Sequence, residues 1–176
     1  MLKNSLVLFV GLILFSCGSG SDLKINLETP QQYNDKIIGE QSKIMKIIIA
    51  MGDQNKSVED VEKMRLELSA QCKASIAATE KMEGYEGDSK MKNAAIKLFK
   101  FYLNSSDNLY KEMLEIVKKG ESITEADMAR LTEIQTLMTE QEKPFDAEFQ
   151  GAQKEFASKH NLMLMQNTLQ SEIDKM

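Results

Sequence analysis

The chain has 176 residues, of which 42% are hydrophobic, 28% charged and 6% aromatic, with no Trp, two Pro and nine Gly. That is enough apolar material for one packed domain and too much for a disordered chain. With 27 acidic against 22 basic residues the net charge is −5, which argues against a nucleic acid as partner. Two Cys cannot build a disulfide scaffold, and one His leaves little for catalytic or metal chemistry.

The first segment reads as an address. Met1-Leu2-Lys3-Asn4-Ser5 carries one positive charge, and Leu6 to Phe15 then runs apolar without a charge. Ten helical residues cover about 15 Å, half a bilayer core, so this is a signal segment and not a spanning helix. The run closes on Leu14-Phe15-Ser16-Cys17 and passes into Gly18-Ser19-Gly20-Ser21-Asp22. On these residues the chain resembles a bacterial lipoprotein precursor: Leu14 stands three before Cys17 and a small residue directly before it. Phe15 departs from the usual small or β-branched residue. The resemblance implies removal of residues 1–16 and acylation of Cys17, with palmitate among the added chains. It also implies a lipid-anchored place in the cell envelope. Gly18 offers no inner-membrane retention signal, which points to the outer membrane. Each buried acyl methylene contributes about 0.8 kcal/mol, so two or more chains hold a protein stably. Residues 17–29 then read as the lipidated Cys and a flexible tether with a reach of roughly 20 Å.

Helical periodicity starts at Thr29-Pro30-Gln31-Gln32, a capping box with Pro at the first helical position. Tyr33, Ile37, Ile44, Ile47, Ile48 and Met51 share one face and predict a first helix over 30–51, interrupted at Glu40 or Gln41. Ser57 caps the second helix, with Glu59 and Asp60 in its first turn. Its stripe is Val61, Met64, Leu68, Cys72, Ile76, Thr79 and Met82, and Gly84-Tyr85-Glu86-Gly87 ends it. Asp88 or Ser89 caps the third, whose stripe is Met91, Ala94, Ala95, Leu98, Phe101, Tyr102, Leu109, Met113, Ile116 and Val117. Lys118-Lys119-Gly120 stops it.

Thr124 caps the fourth helix, and Ile123 can staple onto Met128. The predicted face is Met128, Leu131, Ile134, Met138, Phe145, Phe149, Ala152 and Phe156. Pro144 falls inside this run, but Met138 and Phe145 keep the same phase across it. One long helix kinked near Pro144 is the first expectation, and two separate helices the alternative. Asn161 supplies a left-handed stop with Leu162 folded back, and residues 163–176 form a tail. Four amphipathic helices with short polar turns predict an all-α, antiparallel up-down-up-down four-helix bundle over 30–162. Tyr33-Asn34-Asp35-Lys36-Ile37-Ile38 and the stretch from Phe149 to Leu164 also make the chain similar to uncharacterised helical surface lipoproteins. That resemblance carries no catalytic residues.

Little in the sequence bears chemistry. His160 has no suitably spaced nucleophile, and nucleotide-cradling glycine motifs are absent. A ferritin-like di-metal site needs Glu-x-x-His twice, whereas residue 157 is Ala. His160, Met163 and Met165 place one imidazole and two thioethers together, a soft-metal pattern suited to Cu(I), although packing of the chain end explains the same residues. The fourth helix carries Glu125, Asp127, Glu133, Glu140, Glu142, Asp146, Glu148 and Glu155 against Arg130, Lys143, Lys154 and Lys159. This reads as a solvated surface, with a face for a cation or basic partner as the functional alternative. Cys72 sits on the inner stripe, which predicts a buried thiol. The expectation is a non-enzymatic envelope lipoprotein with a structural or protein-interaction role. It would have no cofactor and no nucleic acid, only the lipid bilayer and an unidentified protein as partners. A ligand- or soft-metal-binding lipoprotein is the alternative, and an enzyme using carboxylates alone comes last.

Overall fold

Each helix starts where a side chain satisfies the free amides of its first turn. The computed structural model describes residues 29–53 and 55–164. Helix α1 spans Pro30–Met51, with the Thr29 hydroxyl accepting from the Gln32 amide and the Gln32 side chain accepting from the Thr29 amide. Helix α2 spans Val58–Glu80 behind Ser57, whose hydroxyl accepts from the Asp60 amide at 3.1 Å. Helix α3 spans Lys90–Ser105, where the Asp88 carboxylate, not the Ser89 hydroxyl, accepts from the Lys90 amide at 2.9 Å. One π turn, Ser106–Tyr110, carries the chain into α4, Lys111–Val117. A short 3₁₀ turn, Gly120–Ser122, then leads to α5, Glu125–Lys159, which opens on a second capping box between Thr124 and Asp127.

These elements form an all-α four-helix bundle in which α3, the π turn and α4 make the third rod. Each rod runs against its neighbour. Ser75 of α2 bonds Glu40 of α1, and Lys92 at the start of α3 bonds the Met82 carbonyl just past α2. Down the third rod, Lys90 pairs with Glu155, Lys97 with Glu148, Tyr102 with Glu142, Arg130 with Glu112, and Lys119 with Asp127. The partner numbers climb on one helix as they fall on the other. That fixes an antiparallel pair held in register over the full length of α5.

The core is the set of inner stripes: Tyr33, Ile37 and Ile44 from α1, Leu68, Cys72 and Ile76 from α2, Met91 to Tyr102 from α3, and Phe149, Ala152 and Phe156 from α5. The four-residue turn at Tyr85–Asp88 adds Tyr85 to it. Both central residues of that turn have positive φ, 50° at Glu86 and 83° at Gly87, and the Asp88 amide bonds the Tyr85 carbonyl at 2.9 Å. Gly84 precedes it because a Cβ there would lie 2.8 Å from the Asp88 carbonyl oxygen.

Three sequence expectations need correction. Helix two ends at Glu80, and Gly84-Tyr85-Glu86-Gly87 belongs to the following loop. The third helix is not uniform: the π turn inserts a residue, so Leu114 is buried at 3% exposure where the α-period placed Met113. Met128 is 55% exposed and stands off the buried face on which the α-period placed it. The fourth helix, α5, runs as one helix through Pro144, as the first expectation had it. The proline ring removes one backbone donor, while Phe149 and Phe156 stay buried beyond it.

Candidate functional site

The carboxyl end of α5 holds the residues with the soft-metal pattern. Asn161 adopts φ 54°, its amide bonds the Ser158 carbonyl, and the Leu162 amide bonds the Ala157 carbonyl at 2.8 Å. This six-to-one closure folds Leu162 back onto the core. The imidazole of His160 is packed among aromatic rings, edge-on to Tyr85 at 4.9 Å and tilted on Phe156 at 4.6 Å. Its Nε2 is buried without a hydrogen-bond partner. Met163 is 88% exposed, and Met165 lies outside the described residues. Among the described residues no group of three His, Cys, Asp or Glu side chains is placed to hold a metal. Cys17, the lipidation candidate, also lies outside them.

The acidic helix does have partners, and they come from across the bundle. Lys90 and Lys97 on α3 meet Glu155 and Glu148, Arg130 grips Glu112 at 2.7 Å and also reaches Glu133, and Lys119 meets Asp127 at 2.5 Å. Three α5 carboxylates, Asp127, Glu148 and Glu155, are thus answered by lysines on neighbouring segments, while Arg130 of α5 itself answers Glu112 of α4. Such exposed pairs each contribute little to stability, but in sequence they set register.

Two carboxylates on α5 have a different environment. Glu142 accepts a 2.6 Å hydrogen bond from the hydroxyl of buried Tyr102, and burial, opposed by that bond, holds its carboxyl above the ordinary range. Burial likewise raises Asp146, which accepts from Gln150. Burial and the Glu142 charge push the hydroxyl of Tyr110 up to about 12. These groups make a half-buried acidic cluster where α5 crosses α3. Within it the Tyr102 hydroxyl donates to Glu142, with Asp146 and Tyr110 close by.

At the opposite side of the third rod lies the one buried cation of the described residues, Arg65. Its Nε and Nη2 donate to both oxygens of Glu62 at 2.8 Å, and its Nη1 donates to the Ser106 carbonyl at 3.3 Å. In return the Ser106 hydroxyl donates to the Arg65 carbonyl at 2.9 Å. Ser106 opens the π turn, so α2 is bolted to the third rod at the point where its helical ladder slips. Sequence reading passed over Arg65. Its signal was present, since Val61, Arg65, Leu68 and Cys72 follow helical spacing and Arg65 is the charged member of that stripe.

Cys72 is fully buried, and burial pushes its thiol up to about 12, leaving it protonated and inert at neutral pH. Among the described residues no helix is long and apolar enough to cross a membrane. Comparison with family models, with curated proteins and with solved structures finds no match for this chain.

Proposed function

We propose that this chain is a non-enzymatic lipoprotein of the bacterial cell envelope. It is held on the bilayer through acylated Cys17, with the outer membrane as its more fitting site. Its four-helix bundle has a structural or protein-interaction role. The observation that carries the reading is the segment Leu14-Phe15-Ser16-Cys17 behind a charged start and an apolar run, followed by a Gly/Ser spacer. The first helix begins at Pro30, so a short tether separates the anchor from a folded body. The reactive side chains lend support of a different kind. His160 is committed to ring packing, Cys72 to the core, and most α5 carboxylates to lysines and arginines.

The test is Cys17→Ser in the full chain, expressed in a bacterium with labelled palmitate. Wild type should carry label and partition into detergent with the membrane. The variant should carry none and leave the membrane fraction. Equal labelling of both would overturn the assignment of Cys17.

A further inference from the structure

Of the eight carboxylates on α5, five meet a lysine or arginine: Asp127, Glu133, Glu140, Glu148 and Glu155. Glu125 is exposed in the first turn, where the helix end favours a negative charge. Glu142 and Asp146 differ from the rest. Both are half-buried, and among the described residues no cation answers either one. Gln153 fixes their side of the helix, because its amide donates to Asn34 of α1 at 3.0 Å. Asp146 and Glu142 precede Gln153 by seven and eleven residues, about two and three helical turns, so all three share the α1-facing side. One oxygen of Glu142 takes the Tyr102 hydroxyl at 2.6 Å, and one of Asp146 takes the Gln150 amide at 2.6 Å. The second oxygen of each has no donor among the described residues.

A second observation comes from another element. The hydroxyl of Tyr110, at the end of the π turn, is deep-set near Glu142 and makes no hydrogen bond among the described residues. Half-buried carboxylates and a phenol short of partners are costly unless something supplies donors and positive charge. Three acceptors stand open: one oxygen of Glu142, one of Asp146 and the Tyr110 hydroxyl. A primary ammonium brings three N–H donors and one positive charge. Among the described residues no three His, Cys, Asp or Glu groups gather as a metal would require. Aromatic rings adjoin the carboxylates instead, with Phe145 stacked on Phe101 at 5.4 Å and Phe101 tilted on Tyr102 at 5.6 Å. Such rings suit an organic cation carrying an apolar tail. We propose that Glu142, Asp146 and Tyr110 bind the ammonium group of a small aliphatic amine, with its methylene tail against Phe145. The proposal is independent of the lipid anchor.

Titration of the full chain in neutral detergent at pH 7 tests it, with n-butylamine as the probe. Calorimetry and tyrosine difference absorbance follow binding. Two further probes separate its features: 1-butanol keeps the tail without the charge, and tetramethylammonium keeps the charge without the donors. Butylamine should bind saturably with a tyrosine signal, and the other two should not. Glu142→Gln and Asp146→Asn should each weaken butylamine about tenfold or more, because each removes an ionised acceptor. Tyr110→Phe should weaken it severalfold and diminish the tyrosine signal. Glu148→Gln, whose carboxylate faces Lys97 instead, should leave binding unchanged. Far-UV circular dichroism matched to wild type qualifies each variant, and where one unfolds the three probes on wild type decide. No saturable butylamine binding, equal binding of tetramethylammonium, or full affinity in folded Glu142→Gln and Asp146→Asn would overturn the proposal. Binding of a lysine-rich peptide without binding of butylamine would overturn it too, by making this side of α5 a protein contact.

Discussion

Removing the Arg65 guanidinium probes the joint between α2 and the π turn. The side chain is 7% exposed and Ser106 is fully buried, so water cannot readily replace the bond to the Ser106 carbonyl. Loss of a hydrogen bond from a charged donor to a buried acceptor costs about 1.5–3 kcal/mol. Loss of the Glu62 pair adds less, about 0.5–1 kcal/mol, because Glu62 at 28% exposure can rehydrate. Truncating the stem to Ala removes apolar contacts as well, worth about 1 kcal/mol. Arg65→Ala should therefore cost about 3 kcal/mol, or about 6–12 °C in Tm for a domain of this size. Arg65→Met restores the stem without the donors and should recover about 1 kcal/mol of that loss. Urea unfolding followed by circular dichroism at 222 nm measures both, with Lys63→Ala, 79% exposed two residues away, as control. If Arg65→Ala unfolds within 0.5 kcal/mol of that control (about the range of neutral surface changes), the guanidinium does not hold the joint.

Three further outcomes follow from the packing and the titrating groups. Phe149→Ala, at a fully buried position of α5, should cost about 3–5 kcal/mol, whereas Met128→Ala at 55% exposure should cost under about 0.5 kcal/mol by the same melts. Native protein should resist a thiol-reactive dye at Cys72 at pH 8 and react readily in denaturant; rapid native labelling would place that thiol at the surface. Glu142 and Asp146 have raised folded-state values, so the native state binds protons more readily and stability should rise on acidification from pH 7 toward the ordinary carboxylate range. Asp127, lowered to about 2 by Lys119 and the Thr124 amide, acts with the opposite sign, and its contribution is lost as pH falls from about 4 through 2. Glu142→Gln should flatten the gain between pH 7 and 5, and an unchanged slope would refute the role given to that carboxyl.

The caps were legible in the sequence because they are local. Thr29, Ser57 and Thr124 each bond an amide three residues on, and Asn161 with Leu162 closes the last turn within five. The inner stripes were legible for as long as a helix had neighbours on the expected side and kept its period. Both conditions fail in one stretch. The π turn advances the third rod by a residue, which no residue type between Ser105 and Tyr110 announces, and Leu114 displaces Met113. Farther along, Met128 keeps its place in the stripe but is 55% exposed. The acidic helix was illegible for a related reason: its counter-charges at Lys90, Lys97 and Lys119 lie on other segments, at separations only the fold brings together.

The buried arginine and the π turn explain one another. A helix that takes up one extra residue rotates everything downstream by about 100° relative to an unbroken α-helix, and the ladder of carbonyls slips where that happens. The Ser106 carbonyl sits buried at that slip and takes a side-chain donor from α2, which an apolar residue at 65 would not supply. A lysine would offer a single point charge. Arginine has enough donors to take that carbonyl with Nη1 while Nε and Nη2 stay engaged by Glu62, so the charge is neutralised one turn back on its own helix. The rotated segment then presents Leu114 inward and places Glu112 opposite Arg130, which extends the α5 register past the slip. Among the described residues, the one buried cation thus sits where a regular helix would have had no use for it.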